Sequence, residues 1–273
     1  MASLYLDEFV RIFQEEVYPG ASEHWDAAVA EIRGRSPAAG WMLGGAPSAP
    51  SGADPYILAG EVVSYLVKKH GIGRRVPDTL HTRAYEASQA PWREEVLEVI
   101  EALDASGVRV HFVSNSSTRK VAHRLDDLFA GKRSLRERVR VCGDAAKFRI
   151  QELSHDADIP GELRRRFGAL PAALTVETFE RPVYLRRGAY FEALCRVWNN
   201  EPSGPSQTLV CGDVWELDLA MPAALGAEVH LITREAPYAT YGYERSAVEA
   251  LGARGGMSGD LRGLLSRVRA AAS

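Results

Sequence analysis

The chain of 273 residues has few cysteines and no long apolar run. Its three cysteines, Cys142, Cys195 and Cys211, are far apart and form no Cys-x-x-Cys pair, which excludes a disulfide framework and the common zinc spacings. No stretch approaches the ~20 apolar residues that a membrane-spanning helix needs, and the start MASLYLDEF lacks the features of a secretory signal. These absences predict a cytoplasmic protein without a membrane partner.

Several catalytic signatures are also missing. No glycine-rich dinucleotide fingerprint follows a strand-like run, and no Gly-x-Ser-x-Gly is present, which argues against a nucleotide-dependent dehydrogenase and a serine hydrolase. The seven histidines are widely spaced, so they suggest no zinc enzyme. With a formal net charge of −3 and a pI near 6.2, the chain has no overall field that would favour nucleic acid.

The first ninety residues have mainly helical patterns. Apolar residues recur at three-to-four spacing over residues 4–18, and similar patterns cover residues 22–33 and 56–69. Between them, residues 36–55 are rich in Pro, Gly, Ser and Ala, which predicts a loop. We therefore expect residues 1–90 to form a mainly helical, accessory segment.

From residue 91 onward, helical and strand-like patterns alternate. A helical run ends at Gly107 and is followed by the apolar strand VRVHFVS; further on, TLVCGD and EVHLIT flank another helical run. Such alternation predicts an α/β core over residues 91–273, with a Rossmann-like parallel sheet and flanking helices. The polar stretch 149–182 is interpreted as an insertion in this core.

Hydroxyl and amide side chains follow the strand at 108–114. Ser114, Asn115 and Ser116 stand at a strand-to-helix junction, where hydroxyls and backbone N–H groups can bind an anion. The simpler alternative is that these residues cap the following helix without a ligand.

Two carboxylates follow the strand TLVCGD. Gly212 permits a tight turn after this strand, and Asp213 and Asp218 then come near the carboxyl end of the predicted sheet. Carboxylate oxygens at this place could hold a hard cation such as Mg²⁺. Aspartate also caps helices, and that reading stays open.

These stretches in order resemble the haloacid dehalogenase (HAD) superfamily over residues 91–270, most clearly at 96–117 and 208–232. The resemblance implies a phosphatase-like core in which Ser114 binds the transferring phosphoryl group and Asp213 with Asp218 holds Mg²⁺. It also implies a cation between nucleophile and phosphate. Arg186, Arg187 and Lys147 are all candidates for that cation.

The first motif of this superfamily, a strand followed by Asp-x-Asp, is missing upstream of residue 91. Asp7 in LYLDEF is the near match, but Phe9 stands where the acid/base aspartate belongs and cannot transfer a proton. The helical periodicity of residues 4–18 also disfavours a strand there. An exposed helix aspartate is the favoured interpretation of Asp7.

The resemblance therefore predicts a Mg²⁺-dependent hydrolase of small phosphate monoesters, whose helical segment 1–90 resembles a cap that closes over the pocket. Two alternatives stay open: a non-catalytic relative that binds a small phosphorylated molecule, and a chain that lacks the strand with its nucleophile because the true start lies upstream.

Overall fold

The computed structural model describes residues 2–88, 91–201 and 203–271. Within it the chain forms two compact units. The helical unit comprises Met1–Met42, Ala49–Trp92 and Ala236–Ala239, and the sheet unit comprises Leu43–Ser48, Arg93–Glu235 and Thr240–Ser273. The predicted boundary at Ala90 lies outside the described residues, and the main passage between the units falls between residues 92 and 93.

The helical unit contains the helices predicted over residues 4–18, 22–33 and 56–69. Its helices are α1 (Ala2–Glu16), α2 (Ala21–Arg35), α3 (Pro55–Lys69) and α4 (Leu80–Ala87). The apolar spacing of residues 4–18 places Phe9, Ile12 and Phe13 in the core of this unit. Asp54 begins α3, because its carboxylate accepts hydrogen bonds from the N–H groups of Tyr56 and Ile57 at 2.7 and 3.1 Å.

The segment 36–55 is more ordered than the predicted loop. It contains the paired strands β1 (Trp41–Leu43) and β2 (Ala46–Ala49) and a short 3₁₀ turn, Ser51–Ala53. Gly44 and Gly45 connect the strands with φ of 60° and 86°, the backbone region that a two-residue hairpin turn requires.

The sheet unit alternates helices and strands, as predicted. Its helices are α5 (Val96–Ala105), α6 (Thr118–Leu128), α7 (Arg133–Arg138), α8 (Gly161–Ala169), α9 (Gly188–Val197), α10 (Ala220–Ala224), α11 (Gly242–Glu249) and α12 (Gly263–Ala271). Its strands are β3 (His111–Val113), β4 (Arg140–Cys142), β5 (Ala173–Leu174), β6 (Val183–Tyr184), β7 (Leu209–Gly212), β8 (Glu228–Ile232) and β9 (Gly255–Ser258).

The long strands pair in parallel, but not in one sheet. β3 pairs with β4, and β7, β8 and β9 pair in that order; β5 and β6 form an antiparallel pair. The expectation of parallel strands separated by helices is therefore confirmed, whereas the described residues form two parallel sheets instead of one continuous Rossmann-like sheet.

The segment 149–182, interpreted above as an insertion, contributes to the core of the sheet unit. Leu163 and Phe167 of α8 are buried, and the Phe167 ring lies 4.9 Å from that of Phe191 on α9. The apolar face of α8 therefore packs against α9. Among the described residues, no helix has the length and apolar character needed to cross a membrane.

One histidine of the sheet unit, His230, is buried in a strand. His230 on β8 is buried, and its Nε2 lies 2.7 Å from Ser258 Oγ, which donates to the Asp260 carbonyl and so accepts from the imidazole. Burial, with a smaller contribution from Arg267, lowers the pKa of His230 to about 4.

We expect this lowered pKa to weaken the fold in acid. The unfolded chain protonates His230 below its ordinary pKa of ~6.5 while the folded chain does not, so stability falls as pH drops from ~6.5 towards 4. Urea unfolding across this range should give a shallower pH dependence for His230→Gln than for the wild type. The exposed His155→Gln is the control; equal slopes for both variants would contradict the assignment.

Candidate functional site

The loop after β3 folds into a tight turn that begins α6. The Ser114 N–H donates to the Cys142 carbonyl at 3.0 Å and extends the β3–β4 ladder, and Ser114 Oγ accepts from the Ser116 N–H at 3.1 Å. Ser117 Oγ accepts from the Lys120 N–H at 3.4 Å. Helix capping therefore falls to Ser117, whereas the hydroxyl hydrogen of Ser114 is left available for another acceptor.

The loop after β4 is hydrogen bonded to the loop after β3. Asp144 and Ala145 donate their N–H groups to the carbonyls of Ser116 and Ser114, both at 2.9 Å. Gly143 is required here, because a Cβ at this position would lie 2.1 Å from the backbone nitrogen of Thr118. These contacts bring the two strand ends together.

The backbone of the residues just before Lys147 is strained. Asp144 and Ala146 have φ of 54° and 41°, in the left-handed region that costs a residue with a Cβ ~1–2 kcal/mol. Such strain persists only where surrounding contacts fix it, and it concentrates at functional sites. In this loop, the strained backbone places the Lys147 N–H so that it donates a hydrogen bond to Asn115 Oδ1 at 2.7 Å.

Lys147 joins this loop to the carboxylates after β7. Its Nζ lies 2.9 Å from Asp218 Oδ1, and the two side chains are 15% and 12% exposed. The same Nζ lies 5.4 Å from the centre of the buried Tyr190 ring, on the face of the aromatic system. Lys147 and Asp218 thus form a sheltered ion pair beside the hydroxyl loop.

Asp218 is held by its own turn. Its Oδ2 accepts from the Val214 N–H at 3.1 Å, and Gly212 allows it to approach, because a Cβ at Gly212 would lie 2.3 Å from the Cβ of Asp218. Pro222 has no N–H to donate towards the Asp218 carbonyl. The Tyr190 hydroxyl donates to that carbonyl instead, at 2.8 Å.

The turn itself, a π-helical segment Trp215–Leu219, is fixed by buried charges. Arg181 makes a two-point ion pair with Glu216 at 2.8 and 2.6 Å, and Tyr243 donates to the same carboxylate at 2.8 Å. Glu244 accepts from the Trp215 N–H at 3.0 Å. These buried contacts hold the turn that carries Asp218.

The structure distinguishes the three candidate cations. Lys147 alone of the three reaches the carboxylates. Arg187 is completely buried and donates to the carbonyls of Lys147 and Ser48 at 2.6 and 2.7 Å; burial lowers its pKa to about 10, so it stays charged at neutral pH. It therefore supports the backbone of Lys147.

Arg186 points elsewhere. Its guanidinium donates to the carbonyls of Gly168 and Leu170 at the carboxyl end of α8 and pairs with Glu152 at 2.9 Å. These partners place it away from the Lys147–Asp218 pair, and its observed role is to close the end of α8.

Asp213 and Asp218 have different surroundings, although they were predicted to act together on Mg²⁺. Asp213 is exposed, whereas both oxygens of Asp218 already accept from Lys147 and Val214. In the described part of the chain, no group of three or more His, Cys, Asp or Glu residues could hold a metal ion. At the rim formed by the loops that follow β3, β4 and β7, Asp213 is therefore the exposed carboxylate and Asp218 the engaged one.

No candidate nucleophile stands at this rim among the residues described above. Asp7 is exposed on α1 and belongs to the helical unit. The chain has an Asp-x-Asp sequence downstream of residue 91, Asp156 to Asp158, but it lies in an exposed loop between β4 and α8 and follows no strand. Neither has the strand-end setting of the first HAD motif.

Sequence reasoning missed two residues that support the pair: Tyr190 donates to the carbonyl of Asp218, and Pro222 offers that carbonyl no N–H. Arg187 was a candidate from the sequence, but as a cation for the phosphate; in the structure it donates to the carbonyl of Lys147. The sequence did not show that this arginine is fully buried, because arginine is normally exposed. No protein-family model, curated protein or solved structure matches this chain.

We expect Gly212→Ala to displace Asp218. The added Cβ would overlap the Asp218 side chain, and overpacking of this kind costs ~1–3 kcal/mol. Urea denaturation should show this loss of unfolding free energy. Gly168→Ala on α8 is the matched control, since its Cβ would meet nothing within 4 Å and should leave stability unchanged or raise it; equal losses in both variants would refute the requirement at Gly212.

Proposed function

We propose that the protein is a HAD-like phosphohydrolase whose sheet unit binds the phosphoryl group of a small phosphate monoester. The observation that carries this proposal is the position of Lys147, which is bonded through its N–H to Asn115 after β3 and through Nζ to Asp218 after β7. Hydroxyls, a cation and carboxylates thereby share the rim at the strand ends, where α/β sheets bind their ligands.

The roles follow from the chemistry of each group. Ser114, Asn115 and Ser116 supply hydroxyl, amide and backbone donors for phosphate oxygens, and Lys147 supplies the positive charge that stabilises the charge developing on the phosphoryl group. Asp218 positions Lys147. Mg²⁺, when bound with Asp213, would neutralise phosphate charge and orient the ester.

A second candidate function is phosphate binding without hydrolysis. It is favoured by one observation: among the described residues of the rim, Asp218 already accepts from Lys147 and Val214, and the Asp-x-Asp at 156–158 follows no strand. A protein with this rim but without a nucleophile would bind a phosphorylated molecule and release it unchanged.

Phosphate binding can be measured directly. Titration calorimetry with inorganic phosphate at low ionic strength should show binding to the wild type. In Lys147→Met the affinity should fall at least tenfold, or by ~1.4 kcal/mol in binding free energy, because a charge-assisted hydrogen bond is lost. Lys132→Met is the matched control: Lys132 is also ion-paired, to Glu101, but lies on the surface.

Because Lys147→Met leaves Asp218 without its partner, Ser114→Ala serves as a second variant that keeps the ion pair. It should also weaken binding while circular dichroism stays unchanged. Equal phosphate affinity in the wild type and in both variants would overturn the proposal.

Hydrolysis separates the two candidates. With p-nitrophenyl phosphate and Mg²⁺, a phosphohydrolase should show turnover that needs the metal and falls at least tenfold in Asp213→Asn, since this variant loses an anionic ligand. Turnover that is equal in the wild type and the variant would remove Asp213 from the mechanism. Phosphate binding without any turnover would favour the binding protein.

A further inference from the structure

One cavity of the sheet unit has an excess of arginine. Its volume is about 880 Å³, and every residue of its lining belongs to this unit; cavities of this size are typical of small-molecule sites. The charged part of its lining consists of four arginines and two carboxylates: Arg109, Arg138, Arg140, Arg196, Asp104 and Glu137. The cavity is therefore positive, although the chain as a whole has a formal net charge of −3.

Both carboxylates of the cavity already have partners. Arg138 donates to the two oxygens of Asp104, at 2.6 Å each, and Glu137 pairs with Arg133 at 2.9 Å. Across residues 2–88, 91–201 and 203–271, the side chains of the remaining arginines of the lining have no hydrogen-bond or ion-pair partner: Arg109, Arg140 and Arg196. The positive charges of these guanidinium groups are thus uncompensated.

Arg109 and Arg140 lie on the same face of the β3–β4 pair. Arg140 is aligned with His111 across the two parallel strands, so both side chains point to one face. Arg109 precedes His111 by two residues, and the Arg140 N–H donates to the Val110 carbonyl at 3.1 Å, which continues the ladder to this point and gives Arg109 the same face. Burial, together with the charges of Arg109 and Arg140, lowers the pKa of His111.

Helix α9 brings the third unpaired arginine to this face. Val113 and Cys142, farther along the same face, pack against the core that contains the buried residues of α9. Arg196 is in the last turn of this helix and lines the cavity. The three guanidinium groups therefore lie at the amino end of the β3–β4 pair, whereas the rim lies at its carboxyl end.

Two helix ends reduce the positive charge of the cavity but do not cancel it. α5 ends at Ala105 and α9 ends at Val197, each next to lining residues of the cavity. The carbonyl groups at such an end carry about half a negative elementary charge, whereas each guanidinium carries a full positive charge. The local field therefore still favours an anion.

We propose that this cavity binds the diphosphate group of a small molecule, at a site separate from the rim and additional to the proposed function. The planar forks of arginine match phosphate oxygens two at a time. A diphosphate has two adjacent phosphoryl groups and can therefore engage Arg109, Arg140 and Arg196 together, which a lone carboxylate cannot.

The rest of the lining has room for a group attached to the diphosphate. Ile100, Leu135 and Val139 are buried apolar residues that also line the cavity. An apolar or planar ring can pack against such side chains, and guanidinium groups stack on aromatic rings. Free pyrophosphate and a nucleoside diphosphate share the anionic chemistry, and they differ in this attached group.

Inorganic pyrophosphate is the direct probe of the cavity. Titration calorimetry of the 273-residue protein at low ionic strength, without metal ions, should show binding that weakens at least tenfold in Arg140→Gln and in Arg196→Gln, because each variant loses a charge-assisted hydrogen bond. Both arginines are exposed, so the variants should fold like the wild type. Absence of binding, or equal affinity in the wild type and both variants, would overturn the proposal.

Two comparisons separate this cavity from other positive charge. Arg245→Gln on α11 removes an arginine that is likewise exposed and, within the described residues, unpaired, and it should leave the affinity unchanged; an equal loss there would indicate nonspecific attraction and contradict the site. Lys147→Met and Ser114→Ala alter the rim, and pyrophosphate should bind to both with wild-type affinity. Binding lost only in these rim variants would assign pyrophosphate to the rim instead.

ADP distinguishes the two sources of a diphosphate. A site for a nucleoside diphosphate should bind ADP at least tenfold more tightly than pyrophosphate, because the attached ring contacts the apolar lining, and Arg140→Gln and Arg196→Gln should weaken it equally. Tighter binding of pyrophosphate would identify the free anion as the ligand. ADP affinity that neither arginine variant changes would count against the cavity as the diphosphate site.

The imidazole of His111 reports where the anion lies. A bound diphosphate would offset the charges of Arg109 and Arg140, so the pKa of His111, measured from its NMR signals, should rise when pyrophosphate is added. The imidazole signals of the exposed His155 should not move. Bound pyrophosphate that leaves the His111 signals unchanged would refute the assignment. Neither measurement depends on binding at the rim or on turnover, so this site and the proposed function can fail separately.

Discussion

The ion pair between Lys147 and Asp218 is the constraint on which the rest of the rim depends. It connects the two loops that follow separate parallel sheets, at a place where both side chains are largely removed from water. A sheltered pair of this kind is weak evidence for stability, because desolvation offsets much of the attraction. Its value here is positional: it fixes where a cation and a carboxylate meet the hydroxyls of the neighbouring loop.

The surroundings of the pair explain how such a position is maintained. Arg187 fixes the backbone of Lys147 from inside the sheet unit, and the Arg181–Glu216 pair fixes the turn that carries Asp218. The left-handed conformations of Asp144 and Ala146 are tolerated because hydrogen bonds hold the loop on both sides. Preorganised charge of this kind suits the stabilisation of a phosphoryl group better than flexible surface charge would.

The sequence was sufficient to place Ser114 and Asp213 at strand ends, because strand patterns and the rule for parallel sheets both point there. It could not choose among Lys147, Arg186 and Arg187, since only the folded chain decides which long side chain reaches a carboxylate. Asp7 could be read as a helical residue, because its neighbours have helical spacing.

The carbonyl of Asp218 links two positions that are far apart in sequence. A residue with an N–H at 222 would offer that carbonyl a second donor from within the helix, so the carbonyl would keep a partner without the Tyr190 hydroxyl. Positions 190 and 222 are therefore energetically coupled: phenylalanine at 190 should cost less when residue 222 has an N–H to donate. The effect of a substitution at either position depends on the residue present at the other.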